Sequence, residues 1–263
     1  MSKKLFLIVI ALLFLPTAAA FAREGAPAGK SFVQSANEER LFTVTVYSAK
    51  PEKWSEALQF IKNEAVPANL KGGRKHMEVW TSVYGQSYES WFILPLENFA
   101  GLDKPDDVLL KGLGSREAVA AFWNKARSYN TSVRQFVIRV RPDESYIKPD
   151  APTPRLAAIG MIEVMYGKEW ELSDWVKAEM LPPVKKSGRD GEIRAGIVAG
   201  GVNGYIIFEP RENFAELDKP NPRTQVLGAE GVRKAMAKMP PGAITKIDRR
   251  TLVFRPDLSI LPK

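Results

Sequence analysis

Residues that could carry chemistry are concentrated in one short run that alternates like a β-strand. His76, Glu78, Trp80, Ser82 and Tyr84 recur with period two and therefore share one face of the predicted strand. A carboxylate buried beside aromatic rings has a raised pKa and can serve as a general base. On this basis we interpret Glu78 and His76 as candidate catalytic residues.

An aromatic pocket would form if the next β-rich run pairs with this one. The turn sequence Gly85-Gln86-Ser87 separates the two runs, and antiparallel pairing would bring Tyr88 or Trp91 alongside. Such a wall suits an organic molecule with a flat or apolar body. The alternative is that these side chains simply fill the protein interior. The candidate pocket residues are Trp80, Tyr84, Tyr88 and Trp91.

The composition excludes several other kinds of site. The 263-residue chain has one histidine and no cysteine, which rules out multi-histidine and thiolate metal sites, disulfides and a cysteine nucleophile. A serine-histidine triad could be built only around His76, which is alternatively a residue at a strand edge. No glycine-rich phosphate loop, dinucleotide fingerprint or serine elbow occurs. We therefore predict no metal site.

The charge of the chain favours anionic partners. A formal net charge of +8 promotes encounters with anionic small molecules or surfaces, although it could equally serve solubility alone. Basic residues cluster in two corresponding loops, which either bind anions or are simply solvated: Lys71, Arg74 and Lys75 in one, and Lys185, Lys186 and Arg189 in the other. No aromatic residues are interleaved with them, so we expect a small organic or anionic ligand and no nucleic acid.

A nine-residue segment occurs twice, at 97–105 and 212–220, and only its fifth position differs. Each copy follows a predicted strand, where its asparagine can cap a turn and its apolar residues can plug the underside of the fold. Those apolar residues are Phe99, Leu102, Phe214 and Leu217. Alternatively, the polar residues of the two copies line two equivalent cleft mouths. These candidate binding residues are Asn98, Asp103, Asn213 and Asp218.

The repeat extends over most of the chain and predicts two α+β units of the order β-α-β-β-α-β. In the first copy we predict strands at 41–49, 77–84, 88–94 and 133–140, with one helix from Trp54 and another capped by Ser115. In the second copy we predict strands at 159–164, 193–199, 205–208 and 245–254, with helices at 172–180 and 232–239. Each unit is therefore predicted to be ferredoxin-like.

The second copy carries charged residues on the corresponding strand. Glu192 and Arg194 share one face of that strand, and Glu163 lies on the first strand of the copy. Glu163 and Arg194 are candidate ligand-binding residues, and the alternative is that they form a buried ion pair.

Five segments are predicted along the chain: a signal peptide at 1–22, a flexible lead-in at 23–37, a first unit at 38–148, a linker at 149–155 and a second unit at 156–263. Three prolines between the units make the linker short and stiff, so the units should dock together.

The order of elements and the tandem units resemble the dimeric α+β barrel superfamily, with both halves of the barrel in one chain. The resemblance implies an intramolecular barrel in which sheet meets sheet. The superfamily includes cofactor-free oxygenases, haem-degrading enzymes, chlorite dismutase relatives and stress-response proteins, and fold alone does not choose among them. Two-unit chlorite dismutases carry the haem ligand in the second copy. Because the second copy here has no histidine, we expect no cofactor.

Two functional hypotheses follow. The first is an exported small-molecule-binding barrel, with a cofactor-free oxygenase or isomerase as its catalytic form and with its pocket around Glu78 and Trp80. The second is a noncatalytic envelope or interaction protein whose barrel is filled. Oligomerisation beyond the internal pair of units stays open.

The N-terminus predicts export. Lys3 and Lys4 precede an apolar run at 5–15, and Ala20-Phe21-Ala22 resembles a signal-peptidase site. We expect mature protein from the periplasm or medium to begin at Arg23 and to retain no membrane span, which N-terminal sequencing will establish. Intact Met1 on envelope protein would instead indicate an uncleaved anchor.

Overall fold

The first half of the protein supplies four strands with helices between them. The computed structural model describes residues 32–33, 37–148, 151, 154–189 and 191–262, so the predicted signal peptide lies outside the described residues. The elements of the first half are β1 (Leu41–Ala49), α1 (Trp54–Phe60), a π-helical turn (Ile61–Ala65), α2 (Val66–Lys71), β2 (Glu78–Tyr84), β3 (Glu89–Leu96), α3 (Asp107–Leu113), α4 (Arg116–Tyr129) and β4 (Asn130–Val140).

The local signals of the first half hold at most positions. β1 has its predicted bounds, and the Ser115 Oγ accepts a hydrogen bond of 3.1 Å from the Ala118 amide at the start of α4. Helix α3 was not predicted, because seven residues that include Gly112 give no clear helical periodicity. Gly114, with a φ of 91°, ends this helix in the left-handed region that favours glycine.

The second half follows a similar order. Its elements are β5 (Leu156–Val164), α5 (Glu169–Trp175), a π-helical turn (Val176–Met180), α6 (Leu181–Lys186), β6 (Ile193–Ala199), β7 (Gly204–Arg211), α7 (Pro222–Ala237) and β8 (Ile244–Phe254). Strand β6 has its predicted bounds, β5, β7 and β8 are longer than predicted, and α7 begins earlier than predicted. Helix α7 is kinked at Gly228, where φ is 68°. Across the described ranges, no helix combines the length and apolarity needed to cross a membrane.

The eight strands close into one barrel in the order β1-β3-β2-β8-β5-β7-β6-β4, and every neighbouring pair is antiparallel. The two halves meet where β2 pairs with β8 and where β4 pairs with β6. Trp80 lies opposite Trp91 in the β2–β3 pair, which is one of the two predicted registers. A buried ion pair lies near the first seam, with the Arg250 Nε 3.2 Å from the Glu89 Oε2.

Apolar side chains from both halves fill the interior of the barrel. Strand alternation directs every second residue inward, so each strand contributes between one and three side chains. The first half supplies Phe42, Val44, Val46, Trp80, Trp91, Ile93, Phe136 and Ile138, and the second half supplies Ile159, Ile193, Ala195, Ile206, Phe208, Leu252 and Phe254. The sheets therefore share one core, and neither sheet has a complete core alone.

Two residues from the predicted flexible lead-in also belong to this core. Phe32 and Val33 are buried, and the Phe32 ring packs edge-on against Phe42 and Phe208 with centroid distances of 5.1 and 5.2 Å. The Phe32 amide donates a hydrogen bond of 2.6 Å to the Glu78 Oε1. Phe32 and Val33 of the predicted lead-in therefore pack in the barrel core.

The segment that follows each half's last strand packs on the other half. After β4, Tyr146 forms a β-bridge with Glu192, and after β8, Ile260 forms one with Met77. Leu258 is buried with Ile61 and Val79 of the first half. Each half therefore supplies a β-bridge at the sheet edge of the other half.

We predict that the halves do not fold separately. Fragments 23–150 and 151–263 would each expose one apolar sheet face, and several hundred square ångströms of such surface corresponds to on the order of 10 kcal/mol. Each fragment expressed alone should aggregate or dimerise, which analytical ultracentrifugation and thermal unfolding will reveal. A soluble, cooperatively folded monomer of either fragment would contradict the shared core.

Candidate ligand-binding site

The candidate residues of β2 and β3 lie inside the filled barrel. Trp80 and Trp91 are both 1% exposed, and the Trp80 ring packs against Phe208 and Phe254. Glu78 is buried among them, and its Oε2 accepts a hydrogen bond of 3.3 Å from the Trp80 Nε1. These side chains form part of the barrel core and line none of the cavities found among the described residues.

His76 lies beside Glu78 at one end of the barrel. Its Nε2 is 3.1 Å from the Glu78 Oε1, and both residues are buried. The His76 Nδ1 has no hydrogen-bond partner in the part of the chain that the structure describes. The two candidate catalytic residues therefore form a buried pair away from any described cavity.

The other aromatic candidates and the repeated segment lie near the surface. Tyr84 is 63% exposed and Tyr88 is 40% exposed. Asn98 lines the cavity described below, whereas Asp103, Asn213 and Asp218 are exposed and line neither that cavity nor the smaller cleft in the second half. The apolar residues expected to plug the underside of the fold are exposed instead: Phe99, Leu102, Phe214 and Leu217.

Glu163 and Arg194 do not form the ion pair that was the alternative to ligand binding. Glu163 is partly exposed and pairs with Lys246 at 3.3 Å. Arg194 lies on the outer face of β6, because Ile193 and Ala195 face the barrel interior. Its Nε is 3.2 Å from the Glu192 Oε1. The charged face of β6 therefore meets the helices. The candidate residues of β2, in contrast, lie on the face that points into the barrel.

The first half contains a cavity of about 700 Å³ between the outer face of its sheet and its helices. Its floor consists of the outward residues of β1, β3 and β4, and its walls come from α1 to α4 and the segment after β3. Most of the surface is apolar, with contributions from Phe60, Ile61, Met77, Phe92, Leu94, Leu109, Phe122, Trp123 and Ala126. This volume falls within the range of about 300 to 1,000 Å³ that is typical of small-molecule sites.

Polar groups of the sheet lie on the floor of this cavity. Thr43, Thr45 and Tyr47 alternate with the inward residues of β1, and Ser90 of β3 lies opposite Tyr47. Burial raises the pKa of Tyr47 to about 12, so its phenol is neutral at physiological pH. The Tyr47 hydroxyl can therefore donate a hydrogen bond to a ligand in the cavity.

A half-buried arginine forms part of the wall. The Arg74 Nε donates a hydrogen bond of 2.6 Å to the Oδ1 of Asn69, a buried residue of α2. The Asn69 Nδ2 in turn donates to the Ala65 carbonyl at 2.8 Å, which fixes the amide. Burial lowers the pKa of the Arg74 guanidinium, but an arginine stays charged at neutral pH.

Charged and aromatic side chains fill the equivalent layer of the second half. The Arg223 Nη2 lies 2.6 Å from both carboxylate oxygens of Glu192. Burial would raise the pKa of Glu192, but Arg223 and Arg194 outweigh it and lower the pKa. Tyr205 occupies the position in β7 that Ser90 occupies in β3. Each of these two residues pairs with the equivalent position in the first strand of its own half. Within the described residues, the space next to Arg189 in this half is a smaller cleft of about 300 Å³.

The principal residues of the cavity were not predicted from the sequence. Thr45, Tyr47 and Ser90 carry no motif, and their only signal was the alternation of β1 and β3, which does not show which face is covered by helices. Arg74 was noted only as one of several loop cations. Asn69 had no signal in the sequence.

Comparisons with known proteins identify the fold. The chain is similar to a candidate monooxygenase from Lactobacillus acidophilus NCFM, with a TM-score of 0.51, 13% identity and coverage of 85% of this chain and 97% of that one. An anthrone oxidase-like protein gives a TM-score of 0.55 with 13% identity, covering 84% and 93%. A mutant chlorite dismutase from Candidatus Nitrospira defluvii in complex with cyanide gives 0.52 with 9% identity, covering 87% and 97%.

The chain has the fold of the dimeric α+β barrel superfamily. The resemblance drawn from the sequence is thereby confirmed at the level of the fold. No family model matches the chain, and no curated protein matches it in sequence.

The residues of this α+β barrel do not fit a histidine- or cysteine-ligated haem. The sole histidine, His76, is absent from the cavity lining and is paired with Glu78, and the chain contains no cysteine. Among the described residues, no three acidic or histidine side chains are close enough together to hold a metal ion.

We predict that Tyr47 ionises late. Because burial raises its pKa from 10.0 to about 12, the folded state holds the phenolic proton more tightly than the unfolded state does. Stability should therefore fall between these pH values, and Tyr47→Phe should remove this part of the loss and one late phase of tyrosinate absorbance. Tyr84→Phe, which changes an exposed tyrosine, should leave that late phase in place. If the late phase of tyrosinate absorbance were unchanged in Tyr47→Phe, the assignment of that phase to Tyr47 would be wrong.

Proposed function

We propose that the protein binds a small organic molecule in the cavity of the first half. The observation that carries this proposal is the 700 Å³ cavity, whose apolar walls enclose a floor of hydroxyl groups. A ligand with an apolar body would release water from these walls, and the hydroxyls would orient it. The proposal places the site on the helix side of the sheet, opposite the aromatic face named in the sequence analysis.

The lining suits recognition of a partly oxygenated apolar molecule. Tyr47 offers a neutral phenol, and Thr45 and Ser90 offer hydroxyls that can donate or accept. Gln135 of β4 adds an amide at the same surface. A few hydrogen-bonding groups within a largely apolar wall is the usual composition of a selective small-molecule site.

A cofactor-free oxygenase or isomerase is the catalytic form of this proposal. The similarity to a candidate monooxygenase and to an anthrone oxidase-like protein supports it at the level of fold. Within the chain itself, Tyr47 would donate a hydrogen bond to an oxygen atom of the substrate, and the apolar wall would exclude water. We further propose that the two halves are tandem ferredoxin-like units and that the protein is exported.

The alternative is a noncatalytic interaction protein with a filled barrel. The packed interior around Trp80 and Trp91 agrees with that description of the barrel. The cavity between the first-half sheet and helices favours ligand binding instead, because a protein that acts only through its surface does not need such a space.

A substitution taken from the second half tests the site. We expect wild-type protein to bind the neutral fluorophore N-phenyl-1-naphthylamine at a single saturable site. Ser90→Tyr places on β3 the residue that β7 has at the equivalent position, and its ring would occupy the cavity. Affinity should fall about tenfold or more, measured by fluorescence titration. Circular dichroism and thermal unfolding will establish that the variant is folded.

A matched control carries the same change outside the cavity. Ser128 is exposed on α4 and does not line the cavity, so Ser128→Tyr should bind the fluorophore like wild type. Absence of binding to wild-type protein would favour the noncatalytic alternative. Equal binding by Ser90→Tyr and wild type would place the ligand elsewhere.

A further inference from the structure

Among the described residues, Arg74 is a cation of the cavity wall that has no carboxylate partner. Its Nε is engaged by Asn69, and within the described ranges neither Glu97 nor Asp106, the two acidic residues of the lining, forms an ion pair with it. Asp106 accepts a hydrogen bond of 2.9 Å from the Trp123 Nε1, and Lys104 adds a second cation. The two terminal nitrogens of the Arg74 guanidinium are thus free to receive an anion.

The second half shows what the partner of this arginine would be. Arg189 lies 115 residues after Arg74, and each follows a glycine with positive φ, 88° at Gly73 and 67° at Gly188. The Arg189 Nη2 is 3.3 Å from the Glu216 Oε2. In the second half, therefore, the equivalent guanidinium is neutralised by an acidic residue of the repeated segment.

The first half lacks that acidic residue. The repeated segments 97–105 and 212–220 differ only at the fifth position, where the first has Gly101 and the second has Glu216. Both positions line the space next to their arginine. The one difference within an otherwise identical segment therefore removes the counter-ion of Arg74 and opens the space that a glutamate side chain would occupy.

We propose that the cavity selects organic anions, with Arg74 binding the anionic group and Asn69 acting as a positioning residue. This inference rests on the proposed function and specifies the class of its ligand. A guanidinium in partly apolar surroundings is poorly solvated, so an anionic ligand would supply the partner that Glu216 supplies to Arg189. The fork of the guanidinium matches a carboxylate or sulfonate with two parallel hydrogen bonds. The apolar wall would hold the rest of the molecule.

A pair of fluorophores that differ by one anionic group tests the selection. The anion is 8-anilinonaphthalene-1-sulfonate, and the neutral partner is N-phenyl-1-naphthylamine, which lacks the sulfonate. Arg74→Gln should weaken binding of the anion about tenfold or more, as expected for a lost charged hydrogen bond. Binding of the neutral fluorophore should change less than about twofold.

A second variant rebuilds the counter-ion of the second half. The carboxylate introduced by Gly101→Glu should pair with Arg74. Binding of the anionic fluorophore should then weaken selectively, as it does in Arg74→Gln. The new Cβ would lie 3.0 Å from the Leu96 Cδ1, the end of a flexible side chain that can move. Lys75→Gln removes an exposed cation of the same loop that does not line the cavity, and it should leave both affinities unchanged.

The outcomes separate this inference from the proposed function. Failure of wild-type protein to bind the neutral fluorophore overturns the proposed function and the inference with it. A different result is that the neutral fluorophore binds while the Arg74 and Gly101 variants keep wild-type affinity for both fluorophores, or lose affinity for both equally. That result would support the proposed cavity site and overturn anion selection. An equal loss of affinity for the anionic fluorophore in Lys75→Gln would also overturn anion selection, because the effect would then reflect the net charge of the protein.

Discussion

The shared apolar core of the barrel determines where every other feature of the protein can lie. Each four-stranded sheet has one face that must be covered, and the two sheets cover each other with interdigitating side chains such as Trp80 and Phe208. Because this interior is packed, polar residues on the inward face find partners within the core, as Glu78 does with His76. Among the described residues, the cavity that is large enough for a small molecule lies on the opposite face, under the helices.

The two halves use that helix-covered layer in different ways. Where the first half has Ser90, the second has Tyr205, and the buried arginines of the second half are held by Glu192 and neighbouring groups. Buried ion pairs of this kind add little net stability, but losing one partner is costly, so they fix the geometry of a layer. The second half thus has a rigid, filled layer, and the first half keeps an apolar cavity on the same framework.

The sequence predicted the framework well because its signals are local. Alternation gave the bounds of β1 and β6, and Ser115 marked the start of α4. Helix α3 and the cavity were not predictable in the same way. The alternation of β2 and β3 identifies two faces but does not say which one meets the other sheet, and the aromatic face was filled by Phe208 and Phe254 from the distant second half. Arg74 could not be separated from solvated loop cations, because its isolation depends on Gly101 across the cavity.

The crossing segments tie the order of synthesis to the order of folding. The edge strand β2 of the first half pairs with β8, and Met77 bridges to Ile260, so the first half lacks two of its partners until residues 244–260 have been synthesised. Until then, the nascent first half carries an unpaired sheet edge and half a core. The first-half sheet can therefore be completed only after β8 has been made.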